Sequence, residues 1–219
     1  MRSEADENYL KEIYSLERDH GHATTSMIAE RLGNTPASVT GQLKKLSARR
    51  LVSYSPYQGA KLTDAGRAIA LEVIRHHRLL ETYLVRVLEI PWDRVHGEAE
   101  RLEHALSEYL EERIDERLHH PKVDPHGSPI PSREGRVNDN GHLRVADLAE
   151  GSRAEIVEVS DRDSMLLSRL DTLGLHPGTR FTVVAVEPVD GLMTIRVGAR
   201  SLTIGRTSAG QLIAREVSE

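Results

Sequence analysis

The chain has 219 residues, which is enough for two or three small domains with a modest core each. Its net charge of −5 gives no overall basic character, and the absence of cysteine excludes disulfides and thiolate metal ligands. The opening sequence, MRSEADENYL, has no apolar segment of the signal-peptide kind, and no apolar run is long enough to span a membrane. We therefore expect a cytoplasmic protein without a membrane partner.

Helices are predicted first along the chain. Apolar residues between Tyr9 and Leu16 recur with a period near 3.6, which predicts a first helix. Thr25 is the expected N-cap of a second helix that ends at Gly33. A third helix is expected to begin behind Thr35 as its N-cap, with a proline at its first position.

A short hairpin is predicted directly after the third helix. Residues 51–54 alternate like a strand, residues 56–59 form a turn, and residues 60–63 return. Two helices joined by a turn at Gly33-Asn34, with such a hairpin as a wing, have helix-turn-helix geometry. The second helix of that pair would place its N-terminal side chains in the major groove of DNA.

Charge supports a DNA-binding interpretation of this region. Every charged residue between positions 32 and 63 is basic, whereas residues 76–120 carry six basic and eleven acidic side chains. A basic segment in an acidic chain favours a local anionic partner, although a plain three-helix packing motif is the alternative. The expected DNA contacts are, at the bases, Thr35, Pro36, Ala37, Ser38 and Gln42; at the phosphates, Thr40, Lys44, Lys45, Arg49 and Arg50; and in the wing, Tyr57 and Lys61.

Residues 64 to about 120 are predicted to be helical. One helix is expected from about Asp64 towards Glu89, where Pro91 interrupts it, and another from about Trp92 to His119. A long helical pair beside a DNA-binding region is a natural dimerisation element. The following residues, 121–142, are rich in proline and glycine and predict an extended connection.

Acidic and imidazole side chains are concentrated on the second of these helices. If that helix is continuous, His96, Glu100, Glu103 and His104 fall at positions i, i+4, i+7 and i+8 and form one stripe. Two carboxylates and an imidazole a turn apart can close on one divalent cation, and oxygen-rich sites with imidazole suit Mn(II) or Fe(II). The alternative is a solvated face of charged side chains.

A second pair, His77 and Glu81, lies one turn apart on the preceding helix. Such a pair on its own is usually a solvated surface. Two sets of this kind in one helical region behind a DNA reader favour a transcription factor whose DNA affinity depends on a metal ion.

Strands are predicted from residue 143 onwards. The expected strands are Ala154–Val159, Arg180–Glu187, Leu192–Val197 and Ser201–Ile204, with one short helix from Asp163 to Leu173. This pattern predicts a small, strongly bent β-barrel of about 70 residues. A peptide-binding role is one hypothesis for such a barrel, with the proline-rich residues 121–131 of the same chain as a testable ligand.

Several segments spread along the chain match one known family. They are Glu7-Asn8-Tyr9-Leu10 with Ile13-Tyr14, Ile28-Ala29-Glu30-Arg31-Leu32, Leu51-Val52, Leu62-Thr63-Asp64-Ala65-Gly66, His77 with Leu80-Glu81, Val95-His96 with Glu100 and Glu103-His104, and Pro125-His126-Gly127-Ser128-Pro129-Ile130-Pro131. Together these segments are specific. The chain resembles the DtxR/MntR family of metal-dependent repressors over essentially its full length.

The resemblance implies a multidomain, mainly α fold in three parts. Residues 1–75 would form a winged helix-turn-helix DNA-binding domain. Residues 76–142 would form a helical metal-binding and dimerisation domain with the proline-rich connection. Residues 143–219 would form a small SH3-like β-barrel domain, which only the longer family members have.

The resemblance also implies two divalent metal sites in each chain. Carried over position by position, the primary site would consist of Asn8, Glu100, Glu103 and His104. The ancillary site would consist of His77, Glu81 and His96, closed by Asp161 or Asp163 from the C-terminal domain.

The identity of the metal follows from two positions. Iron-responsive relatives have a cysteine in place of Glu100 and a methionine in place of Asn8, and manganese-responsive relatives have carboxylates at both. Glu100 therefore favours Mn²⁺, with Fe²⁺ as the alternative, while Asn8 matches neither pattern. Lys11 stands where some manganese members place a second N-terminal acid, which argues against their binuclear arrangement.

The function that the resemblance implies is a metal-activated repressor of metal-uptake genes. It would bind double-stranded DNA with a pseudo-palindromic operator as a homodimer, because half-sites about one helical turn apart need two recognition helices. A winged-helix regulator that answers to a small organic ligand is an alternative. An enzyme, such as a metal hydrolase, is disfavoured because the sequence has no HExxH-type signature.

Overall fold

The computed structural model describes residues 2–137, 143–187 and 191–217. The chain divides into two compact units. The first unit comprises Met1–His77, Glu103–Leu106 and Pro131–Arg136, and the second comprises Arg78–Leu102, Ser107–Ile130 and Val137–Glu219. No helix within the described residues is both long and apolar enough to cross a membrane.

The first unit opens with three helices, α1 (Glu4–His20), α2 (Thr25–Leu32) and α3 (Pro36–Ala48). Their ends follow local chemistry: α2 stops at Gly33, whose φ of 62° suits glycine, and Thr35 caps α3. Thr24, rather than the predicted Thr25, caps α2 by accepting a hydrogen bond from the Met27 amide. The apolar stripes of the three helices share one core.

The hairpin after α3 consists of β1 (Val52–Ser55) and β2 (Gly59–Leu62), which pair antiparallel. The hairpin is attached to the segment between α1 and α2, because the Ala60 amide donates to the Ala23 carbonyl over 2.9 Å. A Cβ at Gly59 would lie 2.2 Å from the Ala23 oxygen, and the φ of this residue is +89°. Only glycine therefore fits where the hairpin touches the residues between α1 and α2.

A long helix, α4 (Asp64–Leu88), follows and ends close to the predicted position. The single helix predicted from about Trp92 to His119 is wrong. The structure has α5 (Val95–Leu102), a 3₁₀ turn (Glu103–Ala105) and α6 (Glu108–Arg117). Ser107 separates the 3₁₀ turn from α6, because its backbone is extended and its side chain accepts from the Leu110 amide as an N-cap. Because α5 already ends at Leu102, Glu103 and His104 lie outside it, and the four-residue stripe on one continuous helix does not form.

The second unit contains a six-stranded sheet. Its strands are β3 (Leu143–Arg144), β4 (Arg153–Val159), β5 (Arg180–Glu187), β6 (Leu192–Val197), β7 (Arg200–Gly205) and β8 (Leu212–Glu216). All neighbours pair antiparallel in the order β3-β8-β4-β5-β6-β7. A 3₁₀ turn (Val145–Asp147), α7 (Ser164–Leu173) and the short α8 (Arg206–Ala209) complete this part. The strands predicted from the sequence did not include β3 and β8.

The proline-rich segment lies partly along β4. The Val159 amide donates to the His126 carbonyl over 2.8 Å, and Ser128 Oγ donates to Glu158 Oε1 over 2.7 Å. Between them, Gly127 has a φ of +87°, and a Cβ there would lie 1.9 Å from the Val157 oxygen. The close approach of two backbones therefore requires glycine and fixes the adjacent histidine.

Candidate metal and DNA sites

The start of α3 is open to solvent. Residues 35–38 are all exposed, as expected for side chains that approach bases. Two hydroxyls here already have local partners: Thr35 Oγ1 accepts from the Ser38 amide, and Thr40 Oγ1 donates to the Pro36 carbonyl. Lys44, Lys45, Arg50 and, in the hairpin, Tyr57 and Lys61 are exposed too.

Two other predicted DNA contacts are held by a carboxylate of α1. Gln42 Nε2 donates to Asp6 Oδ1 over 2.7 Å, and Arg49 Nη1 donates to Asp6 Oδ2 over 2.6 Å. Burial by itself would raise the pKa of Asp6, but hydrogen bonds from Ser3 and Arg49 lower it below the usual value. Asp6 therefore stays charged while it binds α3.

A cluster of polar side chains joins α1 to the 3₁₀ turn within the first unit. His104 lies at its centre, with Nδ1 2.6 Å from Glu7 Oε2 and Nε2 2.9 Å from Asn8 Oδ1. Glu103 Oε1 is 3.4 Å from the same Nε2. We call Glu7, Asn8, Lys11, Glu103 and His104 the first-unit cluster. Sequence reasoning did not select Glu7 as a ligand, although it directly precedes Asn8.

Glu103 is the fully buried member of this cluster. Its Oε1 accepts from Lys11 Nζ over 2.6 Å, and its Oε2 lies 2.5 Å from His77 Nδ1. Burial opposes ionisation, yet the contact with His77 and the charge of Lys11 lower the pKa of Glu103. The carboxylate is thus anionic, and a built-in ammonium group neutralises it.

A second group of possible ligands lies within the second unit. His96 Nδ1 is 3.4 Å from both Glu81 Oε1 and Asp161 Oδ2. We call Glu81, His96 and Asp161 the second-unit cluster; its ligand atoms lie within 4.8 Å of one another, as a metal ion requires. Burial would lower the pKa of His96, but hydrogen bonds and charge from Asp161 and Glu81 raise it to about 10. The imidazolium therefore supplies the positive charge.

Asp161, rather than Asp163, joins this cluster. Asp163 is exposed and caps α7, since its Oδ1 accepts from the Met165 and Leu166 amides. The sequence did not distinguish the two residues, because both are aspartates only two positions apart. Their different contacts depend on the backbone conformation after β4.

Glu81 also belongs to a buried group that sequence reasoning missed. His126 Nδ1 lies 3.6 Å from Glu81 Oε2, and Asp124 completes a set whose ligand atoms could also hold a metal ion. Burial and the charge of Glu81 raise the pKa of Asp124 to about 7. Despite burial, Glu81 raises the pKa of His126 to about 9. The sequence signal that could have indicated this group is the pair Asp124 and His126 inside the proline-rich segment.

Trp92 covers this buried group. Its ring stacks on the His126 ring with centroids 5.4 Å apart, and the His176 ring lies 4.8 Å away on a tilted plane. The Trp92 carbonyl also lies 2.8 Å from His126 Nε2. These contacts hold the imidazole in one orientation.

The structure divides both predicted ligand sets between the two units. Of the primary set, Asn8, Glu103 and His104 lie in the first unit, and Glu100 lies in the second. Glu100 is 51 % exposed and has its Oε1 3.7 Å from His96 Nε2. Of the ancillary set, His77 belongs to the first unit and contacts Glu103, one helical turn before Glu81 on α4.

Three family models match successive parts of the chain. The iron dependent repressor N-terminal DNA binding domain matches residues 1–60. The iron dependent repressor metal binding and dimerisation domain matches residues 63–132, and the FeoA domain matches residues 143–216.

The iron-dependent repressor IdeR of Mycobacterium tuberculosis is 33 % identical over 210 residues, which span 90 % of this chain and 91 % of the relative. The chain belongs to the DtxR/MntR family of metal-dependent repressors. It is a metal-dependent DNA-binding repressor of that family, and its relatives are transcriptional repressors rather than enzymes.

Solved structures of this family agree with the fold. A manganese-dependent transcriptional repressor in complex with manganese has a TM-score of 0.92 and 32 % identity, covering 97 % of this chain and 100 % of that one. The manganese regulator SloR has a TM-score of 0.83 and 30 % identity, covering 97 % and 98 %. The predicted winged helix-turn-helix, helical domain and SH3-like β domain are confirmed. Relatives named for iron and for manganese both occur.

Proposed function

We propose that this DtxR/MntR-family repressor responds to Mn²⁺ and controls genes for metal-ion uptake and homeostasis. The observation that supports this most directly is the donor set of the first-unit cluster. Glu7 and Glu103 offer carboxylates, Asn8 an amide oxygen and His104 an imidazole, all on α1 and the 3₁₀ turn.

This donor set fits a hard divalent cation. Carboxylate and carbonyl oxygens suit Mn²⁺, imidazole suits Fe²⁺ as well, and thiolate ligands are absent from a chain without cysteine. When bound, the ion would supply positive charge between α1 and the 3₁₀ turn. To bind it, Glu7 and Asn8 would exchange their present contacts with the His104 ring for contacts with the ion, and His104 would offer one ring nitrogen.

Lys11 favours a single ion in this cluster. Its ammonium already neutralises Glu103, and Glu7 is the other carboxylate of the group. A second divalent ion would add charge that the remaining donors cannot balance. Within the described residues, the groups of histidine and acidic side chains whose ligand atoms lie mutually within 4.8 Å belong to other sets. Lys11 has to leave Glu103 Oε1 before that oxygen can bind an ion.

The second-unit cluster is our candidate for the ancillary ion. Glu81 and Asp161 provide two carboxylates and His96 provides an imidazole. We expect this ion to change the stability of the protein and not the position of α3, since none of its ligands lies on the DNA-binding helices. Each chain would thus take two divalent ions.

We further propose that the repressor acts as a homodimer on a pseudo-palindromic operator. The exposed N-terminus of α3 fits one half-site, and a second copy would read the other about one helical turn away. Exposed apolar side chains on α5 and α6, Leu102, Tyr109 and Leu110, offer a surface for the second copy.

The test is fluorescence-anisotropy binding to a family-type palindromic operator under anaerobic conditions. DNA affinity is compared in chelator, in Mn²⁺ and in Fe²⁺ for the natural chain, for Glu103→Gln and for the exposed-surface control Glu150→Gln. We expect Mn²⁺ to raise the affinity about 5- to 150-fold, at lower concentration than Fe²⁺, and only Glu103→Gln to lose the effect.

Two results would count against the proposal. Equal DNA affinity in Mn²⁺ and in chelator would remove metal activation. Activation at lower Fe²⁺ than Mn²⁺ concentration would make iron the signal and leave the repressor assignment intact.

A further inference from the structure

Asp6 stands between the proposed cation ligands and the DNA-reading helix. It directly precedes Glu7 and Asn8 on α1. The residue is only 7 % exposed, although its side chain is charged. Both carboxylate oxygens are directed to α3, one to Gln42 and the other to Arg49.

The same carboxylate is fastened to the backbone of its own helix. Asp6 Oδ2 accepts from the Ser3 amide over 3.1 Å, and Ser3 Oγ accepts from the Asp6 amide over 3.2 Å. This reciprocal capping box fixes the side chain relative to α1. Any displacement of the first turns of α1 therefore carries the carboxylate with it.

Two separate points on α3 are bound at once. Gln42 lies in the middle of the helix and Arg49 at its C-cap, seven residues apart. That separation is two helical turns along one face, or about 10 Å. One carboxylate that binds both points constrains the direction of α3 as well as its distance from α1.

We propose that Asp6 is the positioning residue that couples the first-unit cluster to α3. Residues 6, 7 and 8 belong to one helical turn, so a cation that draws Glu7 and Asn8 towards His104 also moves Asp6. Asp6 passes that movement to Gln42 and Arg49. The inference rests on the proposed function, because it concerns how the same cation site reaches the DNA.

The test measures two affinities in each of three chains. Asp6→Asn keeps the amide acceptor for the capping box and removes the charge that binds Arg49. Glu4→Gln, in the same first turn and exposed, is the matched control for helix-end charge. DNA affinity is measured with Mn²⁺ and with chelator, and Mn²⁺ affinity is measured with and without DNA.

Asp6→Asn is expected to reduce the Mn²⁺ enhancement of DNA affinity at least fivefold. Mn²⁺ affinity without DNA should stay within about twofold of the natural chain. Because coupling is reciprocal, the tightening of Mn²⁺ by DNA should fall by the same factor. Glu4→Gln should keep the full enhancement.

A purely structural role gives a different result. In that case Asp6→Asn lowers DNA affinity equally in Mn²⁺ and in chelator, with a lower melting temperature, and the enhancement ratio persists; the inference is then overturned. Gln42→Met provides a second variant that keeps Asp6 and its cap. The direct contribution of the Gln42 amide to DNA affinity cancels in the ratio, so an unchanged ratio also overturns the inference.

The outcome for the natural chain separates the two proposals. If Mn²⁺ leaves its DNA affinity unchanged, the proposed function fails, and the coupling fails with it. If Mn²⁺ raises the affinity of the natural chain and of Asp6→Asn by equal factors, the function stands and only the coupling fails.

Discussion

The two candidate cation clusters balance their carboxylates in different ways. In the first unit, the Lys11 ammonium lies 2.6 Å from the buried Glu103 carboxylate. In the second unit, the Glu81 and Asp161 carboxylates face an imidazole that carries a proton, because the pKa of His96 is raised to about 10. A divalent ion must therefore displace the Lys11 ammonium in the first-unit cluster and a proton of His96 in the second-unit cluster.

Because of this difference, the two clusters have different requirements for binding a metal ion. The Lys11 ammonium has to move away from the Glu103 carboxylate before that carboxylate can bind a metal ion, so metal binding to the first-unit cluster depends on this rearrangement and on metal concentration. Histidine must lose its proton before it can bind a metal ion, and the raised pKa of His96 opposes that step in the second-unit cluster. A pH dependence of metal binding is therefore expected in the second-unit cluster.

The largest expected effect concerns the stability of the first unit without metal. Glu103→Ala removes the carboxylate that Lys11 and His77 contact, and it should lower the free energy of unfolding by about 3–5 kcal/mol. Chemical denaturation in chelator measures it. The double variant Lys11→Met, Glu103→Leu should recover most of the loss, because an apolar pair needs no charge balance. A loss below about 1 kcal/mol would show that the pair contributes little.

A smaller effect is expected where the proline-rich segment delivers His126. Gly127→Ala places a methyl group against the Val157 carbonyl at a φ of +87°, which should cost about 1–3 kcal/mol of unfolding free energy. Ion binding that involves Glu81 should weaken, while the first-unit cluster should keep its affinity. Isothermal titration with Mn²⁺ distinguishes the two. Gly151→Ala, also at positive φ but with open space around it, is the matched control.

The smallest effect, when counted for each pH unit, is the pH dependence of metal binding. Below about pH 10 His96 is protonated in the metal-free protein, so Mn²⁺ must expel a proton from the second-unit cluster. Its affinity should rise with pH by up to about tenfold per unit between pH 6 and 8. Titration calorimetry in buffers of different ionisation enthalpy counts the protons. His96→Gln should remove one proton from that count; an unchanged count would place the proton elsewhere.

Local signals predicted much of the fold. Gly33 and Thr35 with its following proline set the turn and the start of α3, and the bounds of β5 and β6 agree with the alternating pattern. These features depend on the conformations available to residues that are neighbours in the sequence, and they can therefore be predicted from the sequence alone.

The candidate sites depended on contacts that a linear reading cannot supply. The end of α5 at Leu102 leaves the buried Glu103 in a 3₁₀ turn, and the periodicity of the sequence does not indicate that end. The partners of Asp6 lie 36 and 43 positions away along the chain. His126 reaches Glu81 only because Gly127 lets its segment approach β4.

The stacking of Trp92 on His126 also has an optical consequence. This indole is the only tryptophan among the 219 residues, so the intrinsic fluorescence excited at its absorption edge comes from a single place. It stacks on the His126 imidazole, whose pKa Glu81 raises to about 9 despite burial. The natural chain thus carries an unlabelled spectroscopic probe beside the buried group of Glu81, Asp124 and His126, and the first unit has no indole.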